Sequence, residues 1–580
     1  LAPFPHAFNA HVQPPVWDWI AYRNDRLASG PRAADADKLA CRIRIQSSFT
    51  TDFIQQVLES KLLFYRDLFG AVSAGGFGQF RQELLNPDSD HYALKPTHTV
   101  LLLDPRVDSG EESLRELEEI VRVHTGVLPD GILIVSNFFR TSDAAPDVRT
   151  WNDRLYGMAG KTSQVRILDL DRWAARWGWQ KVIDPKQDFL AGLVIAPDMT
   201  PHLAEEILAF VYERLGLRKK CLVLDLDETL WGGIAGEDGP GGILLDVQPP
   251  GNVYRAIQET ALAIQKKGVL LAVASKNNPR DAFEIIDSHP HMLLRRDAFA
   301  DIQIGWQPKD QMLLAAARAL NIGVDSLVFV DDNPTERELV RNLLPAVTVL
   351  DLPADPAWWP RYLEGLKCFE ASTVTAEDRG RARMYAAEKQ RKEELKSAGT
   401  LEDYLRTLDT VVTIGALKPD GDVNLPRIAQ LSQRTNQFNL TTTRYSEGAL
   451  TDLVRGGGRV CWMKVTDRLG DSGLVGVAVL TREGAGWSIQ NFFMSCRVIG
   501  RNIEIAFLRE LIGDLKTNSE GAAVTARFVP SEKNMQTRGF YNEKMGFDVV
   551  RTEPTGTSYR LALGGFVNDR VAYITIRREN

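Results

Sequence analysis

The sequence predicts an α/β protein of several domains, and three observations carry that expectation. Short apolar runs of strand character, at 222–224, 268–274 and 326–330 among others, alternate with longer helical stretches. Each of these runs ends in polar or charged residues, as strands of an open parallel sheet do where they deliver side chains to a site. At 580 residues, 44% hydrophobic and 25% charged, the chain is long enough for three domains with a core each. The boundaries are expected at 1–217, 218–365, a helical linker 366–410, and 411–580.

In the first domain, strand candidates at 41–45, 99–103, 131–135 and 165–168 are separated by helical stretches, which predicts a doubly wound fold. Ser47 and Ser48 follow the first strand, where a nucleophile would sit. Asn137, Asn152 and Asp153 read as turn and cap residues.

The second domain carries the clearest chemistry. The run 222–224 is apolar throughout, as a strand buried on both faces is, and it leads into Asp225, Asp227 and Thr229. A carboxylate at a strand end can attack phosphorus once a Mg²⁺ ion offsets the repulsion between two anions, which makes Asp225 the candidate nucleophile. Asp227 can protonate the leaving oxygen and later activate water. A second buried run ends in Ser275, Lys276 and Asn277, whose hydroxyl and amides suit a phosphoryl oxygen. Lys309 opens a predicted helix and is placed to neutralise developing charge. A third run ends in Asp331 and Asp332, and either supplies a further carboxylate to a metal shared with Asp225 and Asp227. One acidic strand end is weak evidence, because such residues also cap helices. Four stations in this order are not. The stretches between them are too short for a full cap domain, so the site is expected to be open.

The five cysteines, at 41, 221, 368, 461 and 496, make no paired framework and favour a reducing compartment. No apolar stretch reaches the length of a membrane span, and the opening residues lack a signal-peptide pattern, which predicts a cytoplasmic protein without a membrane partner. A net charge of −7 argues against a nucleic-acid binder. Basic residues cluster at Arg379, Arg381, Arg383, Lys389, Arg391 and Lys392 on a predicted charged helix, a candidate surface for an acidic partner.

In the last domain, 487–496 reads as a strand followed by Arg497, Gly500, Arg501 and Asn502, then a helix over 504–515. A turn of this kind presents backbone amides and a helix N-terminus to phosphate. Cys496 precedes it, and Arg497, Arg501 and the helix start are expected to favour its thiolate. Cys221 is the competing thiol. Residues 433–443 (QRTNQFNLTTT), with Asn436, group amides and hydroxyls suited to a polar or phosphorylated ligand.

The motifs DLDETLWGG, SKN, QPK and VFVDDNPTER resemble a capless phosphatase core of the haloacid-dehalogenase (HAD) type, with a Rossmannoid parallel sheet. The front domain resembles the SGNH-hydrolase-like domain found before some such cores, though no Gly-Asp-Ser or Asp-x-x-His block is visible, and a scaffold role is expected. MSCRVIGR, with Asn534, Tyr541, Gly546 and Phe547, resembles the coenzyme A loop and closing segment of GNAT acyltransferases, an α+β fold. Asn502 stands where that loop usually has Gly or Ala, which argues against ordinary acetyl-coenzyme A binding and leaves the cleft open to a carrier-borne phosphopantetheine arm.

Taken together with TNQFNLTT, these motifs resemble the FkbH-like proteins (HAD subfamily IIIC) of polyketide biosynthesis. The resemblance implies a glyceryltransferase/phosphatase that uses Mg²⁺, dephosphorylates D-1,3-bisphosphoglycerate and loads the glyceryl unit onto a phosphopantetheinylated acyl carrier protein. It implies Asp225, Asp227, Ser275, Lys309 and Cys496 as catalytic residues. Thr229, Lys276, Asn277, Asn436, Arg497, Gly500, Arg501 and Asn534 are expected to bind the substrate or the phosphopantetheine arm. The family more often has Asn where Glu228 stands, so this chain adds a carboxylate beside the site. The alternative is a Mg²⁺-dependent phosphatase acting on a small phosphorylated metabolite without acyl transfer.

Overall fold

A computed structural model of the chain describes residues 9–579 apart from 10, 29–40, 67, 69, 140–147, 163, 213, 371–386, 388, 389, 392, 393, 395–399, 420, 485, 519–521 and 532. It separates into two compact units, Leu1–Arg218 with Leu350–Ser372, and Lys219–Val349 with Thr373–Asn580.

The first unit is built on five parallel strands, β1 (Ile43–Ser47), β2 (Val72–Ala74), β3 (His98–Leu102), β4 (Ile132–Ser136) and β5 (Val165–Leu168), in the order β2-β1-β3-β4-β5. Every residue of β3 is buried, as a strand covered on both faces requires. β2 escapes a reading of the sequence because three residues are too short to show a period. The segment 350–372 returns to this unit, where Asn9 Nδ2 donates to the Tyr362 carbonyl at 2.8 Å.

The serines after β1 have structural partners. Ser47 Oγ accepts from the Phe49 amide at 3.0 Å, and Ser48 Oγ accepts from the Asp104 amide at 2.9 Å. Asn137 bridges the start of the helix Leu170–Trp177 through Asp169 and Asp171, and Asn152 pairs with both backbone groups of Phe138.

The second unit holds two sheets. One is fully parallel, with β6 (Cys221–Leu224), β7 (Leu270–Lys276), β8 (Asp301–Gly305), β9 (Leu327–Val330) and β10 (Thr348–Val349) in the order β10-β9-β6-β7-β8. Strand order reverses at β6, so the carboxyl ends of β6, β7 and β9 border one crevice. β8 and β10 were not legible in the sequence: β8 is a half-exposed edge strand and β10 has two residues.

The other sheet has nine strands among the described residues: β11 (Thr410–Ala416), β12 (Phe438–Asn439), β13 (Arg459–Asp467), β14 (Gly470–Glu483), β15 (Gly486–Met494), β16 (Ala523–Phe528), β17 (Asp548–Glu553), β18 (Gly556–Ala562) and β19 (Ile574–Arg578). Their path is β17-β18-β16-β15-β14-β13-β11-β19, with β12 on β15. β15 and β16 run parallel only from Trp487/Val524 to Ile489/Ala526. Beyond that point β12 pairs with β15 at Met494 and Phe493, and Leu440 continues the seam to the Val529 amide at 2.8 Å. Phe438 and Leu440 are buried there, Phe438 against Phe492 and Phe540. The predicted charged helix falls largely outside the described residues, as do Arg379, Arg381, Arg383, Lys389 and Lys392. No helix among the described residues is long and apolar enough to cross a membrane.

Behind β1 and β3 lies a buried polar chain. Thr99 Oγ1 stands between His91 Nε2 at 3.1 Å and His124 Nε2 at 3.0 Å, and both rings are fully buried. Burial pushes His91 down to about 4, with Arg44 adding to the effect, and pushes His124 down to about 3, with His91 adding. Unfolded histidine titrates near 6.5, so between about 4 and about 6.5 the unfolded chain binds more protons. Stability is therefore complete above about 6.5 and is lost as pH falls towards 4, by on the order of 2 kcal/mol for each ring. Thermal melts between pH 7 and pH 4 are expected to show this decline, and His124→Asn to reduce it by the share of one ring.

Candidate active site

Asp225 extends β6 and Asp331 extends β9, so the two carboxylates face each other across neighbouring parallel strands, with the Asp225 amide bonded to the Val330 carbonyl at 3.0 Å. Lys309 begins the helix Lys309–Ala319 and reaches between them. Its Nζ lies 2.8 Å from Asp225 Oδ1, 2.8 Å from Asp331 Oδ2 and 2.9 Å from the Ala274 carbonyl at the end of β7. Burial alone would push the Lys309 ammonium down, but the two facing carboxylates outweigh it and hold it above the usual lysine value.

Asp225, Asp331 and Asp332 each offer one carboxylate oxygen within 4.8 Å of the others. Three carboxylates and one ammonium leave two negative charges in a nearly buried space, and all the donor atoms are hard oxygens. That set fits a divalent cation of the Mg²⁺ type. Burial raises the Asp331 carboxyl, with Asp225 adding and Lys309 opposing. Asp332 is pushed up to about 6, by burial first and by Asp331 and Asp225 next. Arg337 donates to the carbonyls of Asp331 and Asp332 at 2.7 and 2.6 Å and fixes the backbone that carries both.

Asp227 differs from the expected metal ligand. Its carboxylate is not one of the three grouped oxygens: Oδ1 accepts from Trp231 Nε1 at 2.8 Å and from the Ala235 amide at 3.1 Å, and Oδ2 accepts from Asn277 Nδ2 at 2.9 Å. Burial raises its carboxyl, against the stabilising donors Ala235 and Trp231. Asn277 thus holds Asp227. Lys276 pairs with Glu336 at 2.5 Å, where a substrate contact was expected. Ser275 is buried at the end of β7, and Thr229 is fully buried, with no hydrogen-bond partner for Oγ1 among the described residues.

Glu228 takes a left-handed φ of +53° and accepts from the Gly233 amide at 2.8 Å and from Tyr254 Oη at 3.1 Å. Burial and then the Glu228 charge push the Tyr254 hydroxyl up to about 12. Trp231, Tyr254 and Arg337 were not foreseen. Trp231 lies within the motif DLDETLWGG, but nothing in its spacing marks it as a partner of Asp227.

In the last sheet the expected binding groups are largely engaged within the protein. Asn534 donates to the Asn439 and Val529 carbonyls, both at 2.9 Å, and accepts from the Ser531 amide. Asn436 accepts from Arg444 at 2.5 Å. Arg501 pairs with Asp467 at 3.1 Å, and Arg391 pairs with the same buried carboxylate at 2.7 Å, so neither arginine is a free surface charge. Gly500 is exposed with φ +90°, and Asn502 takes a left-handed φ of +61° at the start of the helix Ile503–Thr517. The side chain of Arg497 lies outside the description.

Cys496 sits in a short turn, Cys496–Val498, past the end of β15. It is the one cysteine of the five that is not buried. Cys221 is fully enclosed in β6, where burial pushes its thiol far up. Asn321 Nδ2 donates to the Cys496 carbonyl at 2.7 Å, and Asn321 precedes β9 at its amino end. Asp225 and Asp331 follow the carboxyl ends of β6 and β9. The thiol loop and the carboxylate cluster therefore lie at opposite ends of one sheet, at least a strand length apart, on the order of 15 Å.

No protein-family model matches the chain, and no curated protein matches it in sequence. Among solved structures, the N-terminal part of the protein BF1531 from Bacteroides fragilis, containing a phosphatase domain complexed with Mg, aligns at 24% identity and a TM-score of 0.55. The alignment covers 62% of this chain and 100% of that one, and it shows a shared fold. The ribosomal-protein-S18-alanine N-acetyltransferase from Escherichia coli aligns at 17% identity with a TM-score of 0.21, over 27% of this chain and 97% of its own. The PaiA N-acetyltransferase from Thermoplasma acidophilum in complex with coenzyme A gives 13%, 0.21, 26% and 98% in the same terms. Overlaps that low carry no argument about the last domain.

Asp332 provides a test of the cluster. Its folded carboxyl titrates near 6, above the unfolded value near 3.9, so the cation-free fold loses stability as pH rises from about 4 to about 6. Asp332→Asn is expected to stabilise the fold in EDTA at pH 7 by on the order of 1 kcal/mol after solvent screening, read as a raised melting temperature. The same variant is expected to lose most of the added stability that Mg²⁺ gives the parent protein, as thermal melts with and without the ion will show.

Proposed function

We propose that the second unit is a Mg²⁺-dependent phosphohydrolase that works through an aspartyl-phosphate on Asp225. The observation that carries this reading is Lys309, buried between Asp225 and Asp331 at the carboxyl ends of adjacent parallel strands. Asp225, Asp331 and Asp332 would hold the ion, whose charge would offset the repulsion between the nucleophile and an anionic phosphate. Asp225 attacks phosphorus and the bond to the leaving oxygen breaks. Asp227 gives its proton to that oxygen, then takes one from the water that cleaves the aspartyl-phosphate. Lys309 keeps the nucleophile oriented and balances charge as the phosphoryl group passes. The shared fold with a Mg-complexed phosphatase domain supports the assignment.

The finer reading follows the FkbH-like resemblance. The substrate is D-1,3-bisphosphoglycerate. The Cys496 sulfur attacks its acyl carbon, losing the thiol proton as the acyl phosphate leaves as inorganic phosphate. The ester phosphate is hydrolysed at the carboxylate cluster before or after this capture, and the glyceryl thioester passes to the phosphopantetheine thiol of an acyl carrier protein in the cytoplasm. Its support is that Cys496 is the one cysteine of the five that is not buried. Because the two centres stand at opposite ends of β6 and β9, ester hydrolysis and acyl capture are successive events at two stations.

Asp225→Asn is expected to lower phosphate release by roughly a thousand-fold or more while the protein keeps its fold. Intact mass after incubation with 1,3-bisphosphoglycerate, Mg²⁺ and a holo-carrier is expected to show a glyceryl-sized adduct on both proteins, lost in Cys496→Ala. Phosphate release with no adduct on either protein would leave a plain phosphatase.

A further inference from the structure

The loop 228–235 follows the nucleophile and is gripped from one side by the helix Gly251–Lys266. Tyr254 and Gln258 stand four residues apart, on one face of that helix. Tyr254 Oη donates to Glu228 Oε2 at 3.1 Å, and Gln258 Nε2 donates to the Leu230 carbonyl at 2.8 Å. Between these two bonds Gly232 lies flat on the tyrosine: a Cβ added there would stand 2.7 Å from a ring carbon, so only glycine lets the loop come this close. Glu228 closes the loop on itself through the Gly233 amide, itself at φ +90°. A glutamate at φ +53° costs on the order of 1 kcal/mol, and it persists because both of its oxygens are held.

What this clamp carries is Trp231. The indole is fully buried, and its N–H points at Asp227 Oδ1. With the Ala235 amide on the same oxygen and Asn277 on the other, turning the Asp227 carboxylate would break at least two hydrogen bonds. Two of the three donors, Trp231 and Ala235, belong to the clamped loop.

We propose that Trp231 is the positioning residue of the acid/base Asp227, and that Glu228, Tyr254 and Gln258 form the clamp that sets it. The inference rests on the phosphohydrolase reading. Orientation of a proton donor matters in proportion to the basicity of the group it must protonate. An alkoxide leaving from a phosphate ester needs the proton, whereas p-nitrophenolate leaves without it. A residue that positions the donor is therefore distinguished from one that only supports the fold by its dependence on the leaving group.

The test is rapid-quench measurement of the first turnover, reading alcohol or phenol release, with 3-phosphoglycerate and p-nitrophenyl phosphate as substrates. Trp231→Phe keeps a buried ring and removes the N–H. It is expected to slow release from 3-phosphoglycerate by about ten-fold or more and release from p-nitrophenyl phosphate by less than about two-fold. Tyr254→Phe, which deletes one hydroxyl and serves if the tryptophan variant does not fold, is expected to give the same pattern at smaller size. Glu228→Ala should show it as well, and Glu228→Gln, which still offers an oxygen to the Gly233 amide, should restore much of the rate. Equal slowing of both substrates, or slowing of neither, overturns the inference while the phosphatase stands. A parent protein that releases nothing from either ester removes the phosphohydrolase reading, and this inference with it.

Discussion

The second unit turns on one ammonium group. Lys309 is 1% exposed and touches two carboxylates and a carbonyl that come from the ends of three different strands. Its place at the first residue of a helix is unfavourable in itself, since a cation there meets the positive end of the macrodipole. Its partners hold it. Remove the lysine and two buried carboxylates face each other uncompensated, a far larger penalty than the loss of an exposed ion pair. The register of β6 against β9 and of β6 against β7 is what brings those partners within 3 Å of it.

This dependence explains which parts of the site were legible in the sequence. Asp225, Ser275, Lys309 and Asp331 stand at the ends of apolar runs or the start of a helix, and a parallel sheet gathers such positions whatever their separation along the chain. Asp227 was legible as a residue but not in its surroundings. Whether its carboxylate faces a cation or the protein depends on the path of the loop after it, which is set by Tyr254 and Gln258 on a helix that no local pattern ties to that loop. The weak or very short strands β2, β8 and β10 were lost for a simpler reason. They carry too few buried positions to show a period of two.

In the last sheet the motif residues were visible but their partners were not. Arg391 and Arg501 read as positive charges for an anionic partner, yet both meet Asp467, whose side chain is fully buried and which also accepts from the Leu469 and Gly470 amides. The polar segment around Phe438 read as a ligand surface, yet it pairs with the edge of β15 where β15 and β16 part. Amides and guanidinium groups that suit a ligand suit a neighbouring backbone equally well, and composition does not separate the two. Asn502 is the instructive exception. Its left-handed φ is one that asparagine tolerates better than most residues, so the departure from glycine at this turn keeps the conformation.

The separation of the thiol loop from the carboxylate cluster has a chemical logic in the proposed relay. A thiol beside Asp225, Asp331 and Asp332 would be held protonated by their negative charge and would be a poor nucleophile. A thioester beside Asp227 would stand next to the group proposed to activate water and would be exposed to hydrolysis there. The thiol loop stands at the amino ends of the strands, away from Asp225, Asp227, Asp331 and Asp332. The loop is anchored there by Asn321, and Lys533 pairs with Asp325 nearby. In the proposed relay, placing acyl capture and ester hydrolysis at opposite ends of one sheet would let a single unit carry a thioester away from the group that activates water.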